Sequence, residues 1–175
     1  MRFRYAMGVL IANLYRLLRV FPNSDPIMGF VLPASKLEWW KAPAFAFVTM
    51  FVFDIFTSGI GPWTYTTSFT YAGIALALHF LLKNKESSLR LFLASGAGGV
   101  IVFDFITGPI ATSIIFSQDF LVTLLLQVPF TVMHLVSATF YILIITPFLD
   151  KRIMEEVTQI LSTVKNAVLY KRLDV

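Results

Sequence analysis

Two aspartates set in apolar surroundings are the residues of this chain best placed to do chemistry. Val52-Phe53-Asp54-Ile55-Phe56-Thr57 returns fifty positions later as Val102-Phe103-Asp104-Phe105-Ile106-Thr107, identical at four of six positions. Asp-x-x-Thr is an i,i+3 spacing, so on a helix the carboxylate and the hydroxyl share one face. A carboxylate held in an apolar helix costs about 2.5–3.5 kcal/mol at a bilayer centre on insertion scales, so it demands a partner or a wet cavity. Each copy ends an apolar run and leads into a Gly/Pro turn. Equivalent placement points to one polar site shared by two helices, with Thr57 and Thr107 one turn further out to bond a ligand or steady the carboxylate. The plainer reading is a pair of helix-end aspartates that touch only water and headgroups.

Other chemistry is scarce. His134 is either a packed, hydrogen-bonded core residue or a ligand, and with Asp54 and Asp104 it makes a thin set for a hard divalent ion. The chain has no cysteine, hence no disulfide, thiolate metal site or thiol nucleophile. No His-Glu-x-x-His, Gly-x-Ser-x-Gly or phosphate-cradling Gly-x-x-x-x-Gly-Lys occurs, so the expectation is a protein without catalytic chemistry or cofactor, any ATPase being a separate chain.

The elements that position these groups follow from hydropathy. Hydrophobic residues make up 57% and charged residues 14% of 175 positions, against about 25% charged in soluble domains. With a mean hydropathy of +0.77, the expected class is an all-α polytopic membrane protein: a six-span domain over 1–150 and an amphipathic cytosolic helical tail over 151–175. The net charge of +4 does not signal nucleic acid, because the basic residues cluster at span ends. The spans read as Phe3–Val20, the short Ile27–Ser35, Ala42–Ser58, Trp63–Leu82, Leu91–Thr112 and Pro129–Leu149. Pro129 is taken as the break in a thirty-residue charge-free run, leaving Gln118–Val128 as a segment at the outer face. Gly96, Gly98 and Gly99 thin the fifth span for close packing. In the tail, Ile153, Val157, Ile160, Leu161, Val164 and Val168 form one apolar stripe.

Charge sets the expected orientation. Six spans with the amino terminus inside put twelve of the fourteen basic residues in the cytosol, leaving only Arg16 and Arg19 toward the outside. Both termini are then cytoplasmic, and Asp54 and Asp104 lie near the outer face. The same face gathers Asn23 and Asp25, the polar start Trp63-Thr64-Tyr65-Thr66-Thr67, and Gln127. Trp63, Thr64, Thr67, Asn23, Asp25, Gln127 and His134 therefore join the two Asp/Thr pairs as candidate substrate-binding residues. Arg16 and Arg19 either snorkel to headgroups or pair with Asp25 or an anionic ligand group.

In its order of parts the chain resembles the substrate-capture (S) components of energy-coupling-factor vitamin transporters. A Pro-flanked short second segment, Asp25-Pro-Ile-Met-Gly-Phe-Val-Leu-Pro33, precedes a third span ending in Phe53-Asp54. A Gly turn, the Thr-rich Trp63–Thr67 and a proline-led last span, Gln127-Val-Pro-Phe130, follow. The resemblance covers roughly residues 1–150 and is one of layout. It implies a plasma-membrane subunit that captures a small polar or cationic organic molecule, such as a vitamin or precursor, from outside. It also implies docking onto a coupling transmembrane subunit served by two ATPases. The family docks through small residues on the first span, for which Gly8-xxx-Ala12 is the nearest equivalent here. A structural scaffold whose aspartates tie helices together, and a divalent-cation-binding transport subunit, are the competing readings.

Overall fold

The computed structural model describes the backbone of residues 2–18 and 25–173, and the side-chain surroundings of 7–18 and 25–166. These residues form helices and turns and no strand. Helix α1 covers Arg2–Leu18, α2 Ile27–Ala34, α3 Lys41–Thr57, α4 Pro62–Leu82 and α5 Leu89–Phe105. A π-helical segment, Ile106–Ile110, joins α5 to α6, Ala111–Phe116; α7 is Phe120–Leu149 and α8 Lys151–Leu173.

Among the described residues, three helical rods are long and apolar enough to cross a membrane: Pro62–Leu82, Leu89–Phe116 and Phe120–Leu149. Their outward faces carry Phe69, Ile101, Leu125, Leu126 and Val136, each more than half exposed. That apolar exterior fits a membrane protein. Among the described residues six full-length crossings are not present. Helices α1 and α3 have 17 residues each, about 26 Å against a hydrocarbon core of about 30 Å. Helix α2, with 8 residues, reaches only about 12 Å.

The short helix is the centre of the bundle. All of Ile27–Ala34 is buried, as expected of a helix apolar on every side, and α1, α3, α4, α5 and α7 all pack on it. Close approach is bought with glycines: a Cβ on Gly29 would lie 2.9 Å from the Tyr141 carbonyl oxygen of α7, and one on Gly99 2.9 Å from Met28 Cε. Gly96 is similarly blocked by Ile142, whereas Gly98 faces open space and plays no part in packing.

Two boundaries differ from the sequence reading. Pro129 does not break the last span, and α7 runs unbroken for 30 residues through both Pro129 and Pro147. Proline's fixed φ is helical, and in lipid a lost hydrogen bond costs less than a run of unpaired backbone. Gly108-Pro109 likewise makes no turn; it lies inside the π segment, and the helix continues to Phe116, ending at Ser117 with φ 53°. The first copy does turn, at Gly59 with φ 77°.

One end of the bundle is basic. Lys36 Nζ donates to the Lys85 carbonyl, Arg152 pairs with Glu86 at 3.2 Å, and Lys41 with Glu38 at 2.8 Å. Helix α8 attaches there through buried Ile153 and half-buried Val157. Its Glu156 Oε2 accepts from the Leu89 N–H at 2.7 Å and so caps α5, while Ser88 Oγ accepts from Leu91 N at 3.2 Å. Ile160, Leu161 and Val164 continue the stripe without cover among the described residues.

Candidate functional site

A buried chain of polar side chains crosses the middle of the bundle. His134 on α7 places Nδ1 2.8 Å from Asp104 Oδ1 on α5 and Nε2 2.9 Å from Asp25 Oδ2. Tyr71 on α4 donates its hydroxyl to the same Asp25 oxygen at 2.6 Å. Asp25 stands just before α2, and its Oδ1 accepts from the Ile27 N–H at 3.0 Å; its own N–H donates to Ser137 Oγ at 3.0 Å. Both ring nitrogens thus face carboxylate oxygens, an arrangement satisfied when the imidazole carries both protons and donates twice. Charge compensation of this kind is what makes buried carboxylates tolerable in a low-dielectric interior.

Above this chain, toward the end remote from the basic loops, lies a cavity of about 300 Å³. That is the lower end of the range for small-molecule sites. Its floor is Asp25, Tyr71 and His134; Trp63, Phe103 and Phe130 give it aromatic walls. Polar groups come from Arg16, Thr67, Thr107 and Gln127. Helices α1, α3, α4, α5, α6 and α7, the π segment and the residues before α2 therefore contribute to one space.

Arg16 does not snorkel. Its Nη1 meets Met50 Sδ at 3.0 Å and its guanidinium lies 3.9 Å from the centre of the Phe53 ring, which turns the charge into the bundle. Among the described residues no carboxylate comes within ion-pair distance of it. Asp25 and Asp54 act on its charge only from further away.

Several of the sequence candidates converge here and several do not. Asp25, Trp63, Thr67, Thr107, Gln127 and His134 line the cavity. Asp104 reaches it only through His134. Asp54 does not line it: the residue is buried on α3, and its Oδ2 has no hydrogen-bond partner among the described residues. The shared Asp54/Asp104 site is thereby corrected. Helix α3 packs chiefly on α4 and α5 on α7, and the two copies of the motif sit differently, one at a helix end and one before a π segment inside a longer rod.

The motif's hydroxyls diverge too. Thr57 is exposed and donates to its own helix at Phe53 O, 2.8 Å away. Thr64 is buried in the first turn of α4, its Oγ1 accepting from the N–H of the cap residue Gly61 at 3.2 Å and donating to Gly59 O at 3.3 Å. Asn23 lies outside the described residues. Asp54, Asp104 and His134 form no cation set; among the described residues no group of three or more His, Asp or Glu is placed to hold a metal ion.

The proposed docking pair is also turned inward. Ala12 has no exposed surface, and a Cβ on Gly8 would lie 2.7 Å from Phe30 Cε1. Gly8 and Ala12 bring α1 onto the rest of this chain, leaving Leu10, Leu14 and Leu18 as the outward face of α1.

Tyr71 and Ser137 were missed from the sequence. Tyr71 lies two helical turns beyond the Thr-rich start of α4, on the face of Thr64 and Thr67, and i,i+4 from Thr67 is the one signal that pointed to it. No protein-family model, no curated protein and no solved structure matches the chain.

Proposed function

We propose that this protein is a membrane-embedded solute-binding subunit, similar in role to the S components of energy-coupling-factor transporters. It takes a small polar organic molecule at the non-basic end and hands it to partner subunits for ATP-driven uptake. The observation that carries this reading is the cavity: a vitamin-scale space with aromatic walls and polar groups converging from separate helices, over a fully hydrogen-bonded floor. Such a site binds and orients a ligand. It offers no nucleophile paired with a free base, because His134 has both nitrogens engaged.

The topology that goes with it has six passages through the plasma membrane and both termini cytoplasmic. The second passage is centred on α2, which at 8 residues is too short to cross alone. The basic loops at 36–41 and 83–90 support this orientation. Single cysteines at Ser87 and Gly59 are expected to label from inside and outside respectively; labelling of Ser87 from outside intact cells defeats it. The coupling subunit and its ATPases are expected as separate chains, docking on a surface other than Gly8 and Ala12.

The principal test is mass spectrometry of small molecules released from gently solubilised, purified protein. A stoichiometric organic solute whose retention falls when Trp63 or Thr67 is replaced supports capture. A second reading, a structural membrane scaffold, is favoured by one observation: the Asp25–His134–Asp104 chain joins α2, α5 and α7. Under it no solute is retained, and the same replacements change nothing beyond stability.

A further inference from the structure

The charges facing the cavity are not equally occupied. Asp25 has both oxygens engaged, by Ile27 N, Tyr71 Oη and His134 Nε2, and His134 has both nitrogens engaged. Arg16 is the exception. A guanidinium carries five N–H donors in a planar fork matched to carboxylate or phosphate. Here one donor meets a thioether sulfur, a weak acceptor, and one face of the plane meets the Phe53 ring. Its remaining donors find no carboxylate among the described residues. Unmet charged donors on the wall of a low-dielectric cavity are costly, and an anion placed on them recovers that cost.

We infer that the ligand of this cavity bears a carboxylate or phosphate seated on Arg16, with its apolar or aromatic part between Trp63, Phe103 and Phe130. The inference rests on the capture reading and specifies its substrate class. It also departs from the polar or cationic molecule expected from the two aspartates, and takes up the anionic partner that the sequence left open for Arg16. Asp54 is absent from the cavity wall, and Asp25 and Asp104 are already held by His134. Neither leaves a free negative oxygen facing the space: the one orphan oxygen of Asp104, Oδ2, is fully buried and Asp104 does not line the cavity. Gln127, which also lines the cavity, adds an amide able to donate to the anion.

The same chemistry is presented by a soluble organic anion and by an acidic lipid headgroup, so the test separates them. The protein is placed in phosphatidylcholine nanodiscs, and affinities are measured for four probes that share a phenyl ring. These are 3-phenylpropionate, 3-phenylpropionamide, 3-phenylpropylamine and phenyl phosphate. An anion bound at least about tenfold tighter than the amide, with that ratio collapsing in Arg16→Gln and partly kept in Arg16→Lys, is the expected result. The amide's own affinity should hardly change. Should Arg16→Gln fail to fold, the wild-type ratio of carboxylate to amide decides. Preference for the amine or the amide, or a ratio unchanged in Arg16→Gln, overturns the inference.

Repeating the measurement with one third phosphatidylglycerol identifies the source. Probe binding that persists assigns the anion site to a solute. Probe binding lost in wild type, with phosphatidylglycerol retained through detergent extraction by wild type and not by Arg16→Gln, assigns it to a lipid headgroup. A co-purified solute that is neutral or cationic, and indifferent to Arg16→Gln, overturns the anion while capture stands. Absence of any retained solute, of retained phosphatidylglycerol and of any probe binding overturns both.

Discussion

His134 and Asp25 are 109 positions apart in the chain and 2.9 Å apart in the fold, with the other imidazole nitrogen 2.8 Å from Asp104. One ring therefore holds two buried carboxylates from two different elements. Removing it in His134→Ala leaves both anions uncompensated, and the loss expected for breaking such a buried pair is about 3–5 kcal/mol. Thermal unfolding in detergent, without ligand, reads this as a marked fall in Tm. An unchanged Tm would show that the three groups do not act as a unit.

The two motif aspartates should answer differently to the same substitution. Asp54→Asn removes a buried charge whose Oδ2 has no partner, so stability should stay level or rise, and ligand affinity should move by less than about threefold. Asp104→Asn weakens a charge-assisted bond to His134, and stability should fall by about 1.5–3 kcal/mol. Tm and affinity measured on both variants check the contrast; matching losses would restore the symmetric site.

Gly8 is a packing residue of this chain. Gly8→Leu drives a side chain into the Phe30 ring, and overpacking of that kind costs about 1–3 kcal/mol. The companion Phe30→Ala should recover part of the loss when combined with it, and Gly98→Leu, on an open face, should be nearly silent. Tm values for the three single and double variants decide this. Equal losses without and with Phe30→Ala would show that Gly8 faces something other than Phe30.

Gly108 and Gln127 are in direct contact across the cavity wall. A Cβ at Gly108 would overlap the Gln127 side chain, whose carboxamide is held only by a long hydrogen bond from Nε2 to Thr131 Oγ1 at 3.5 Å. Gly108→Ala is thus expected to displace Gln127 and weaken ligand binding about five- to tenfold while Tm shifts by little. Gln127→Ala should weaken binding by a similar amount, and the double variant no further.

Much of the helical layout was legible because hydropathy and the charged loops carry it: α3, α4 and the start of α8 fall within a residue or two of their expected bounds. The site was half legible. Polar residues at one end could be gathered by topology alone, which is how Asp25, Thr67 and Gln127 were found; His134 stood out as an ionisable residue at mid-span. What the sequence could not supply was pairing. Identical hexapeptides promise identical surroundings, yet Asp54 ends its helix while Asp104 does not, and that difference was decided by whether Gly-Pro turns the chain or is absorbed into a π segment. The small pair Gly8 and Ala12 misled for a related reason: close approach of helices reads the same whether the neighbour is in this chain or another.

That π segment has an effect beyond carrying Pro109. A π turn holds one residue more than the α turn it replaces, so α6 is rotated by about 100° relative to a regular continuation of α5. The rotation is what aims Thr112 at the cavity and sets the Phe116 ring 6.4 Å from Trp63. Within an otherwise rigid rod, Ile106–Ile110 acts as a one-residue phase shifter. Deleting a single residue there would leave the helix continuous, yet turn a different set of side chains toward the ligand.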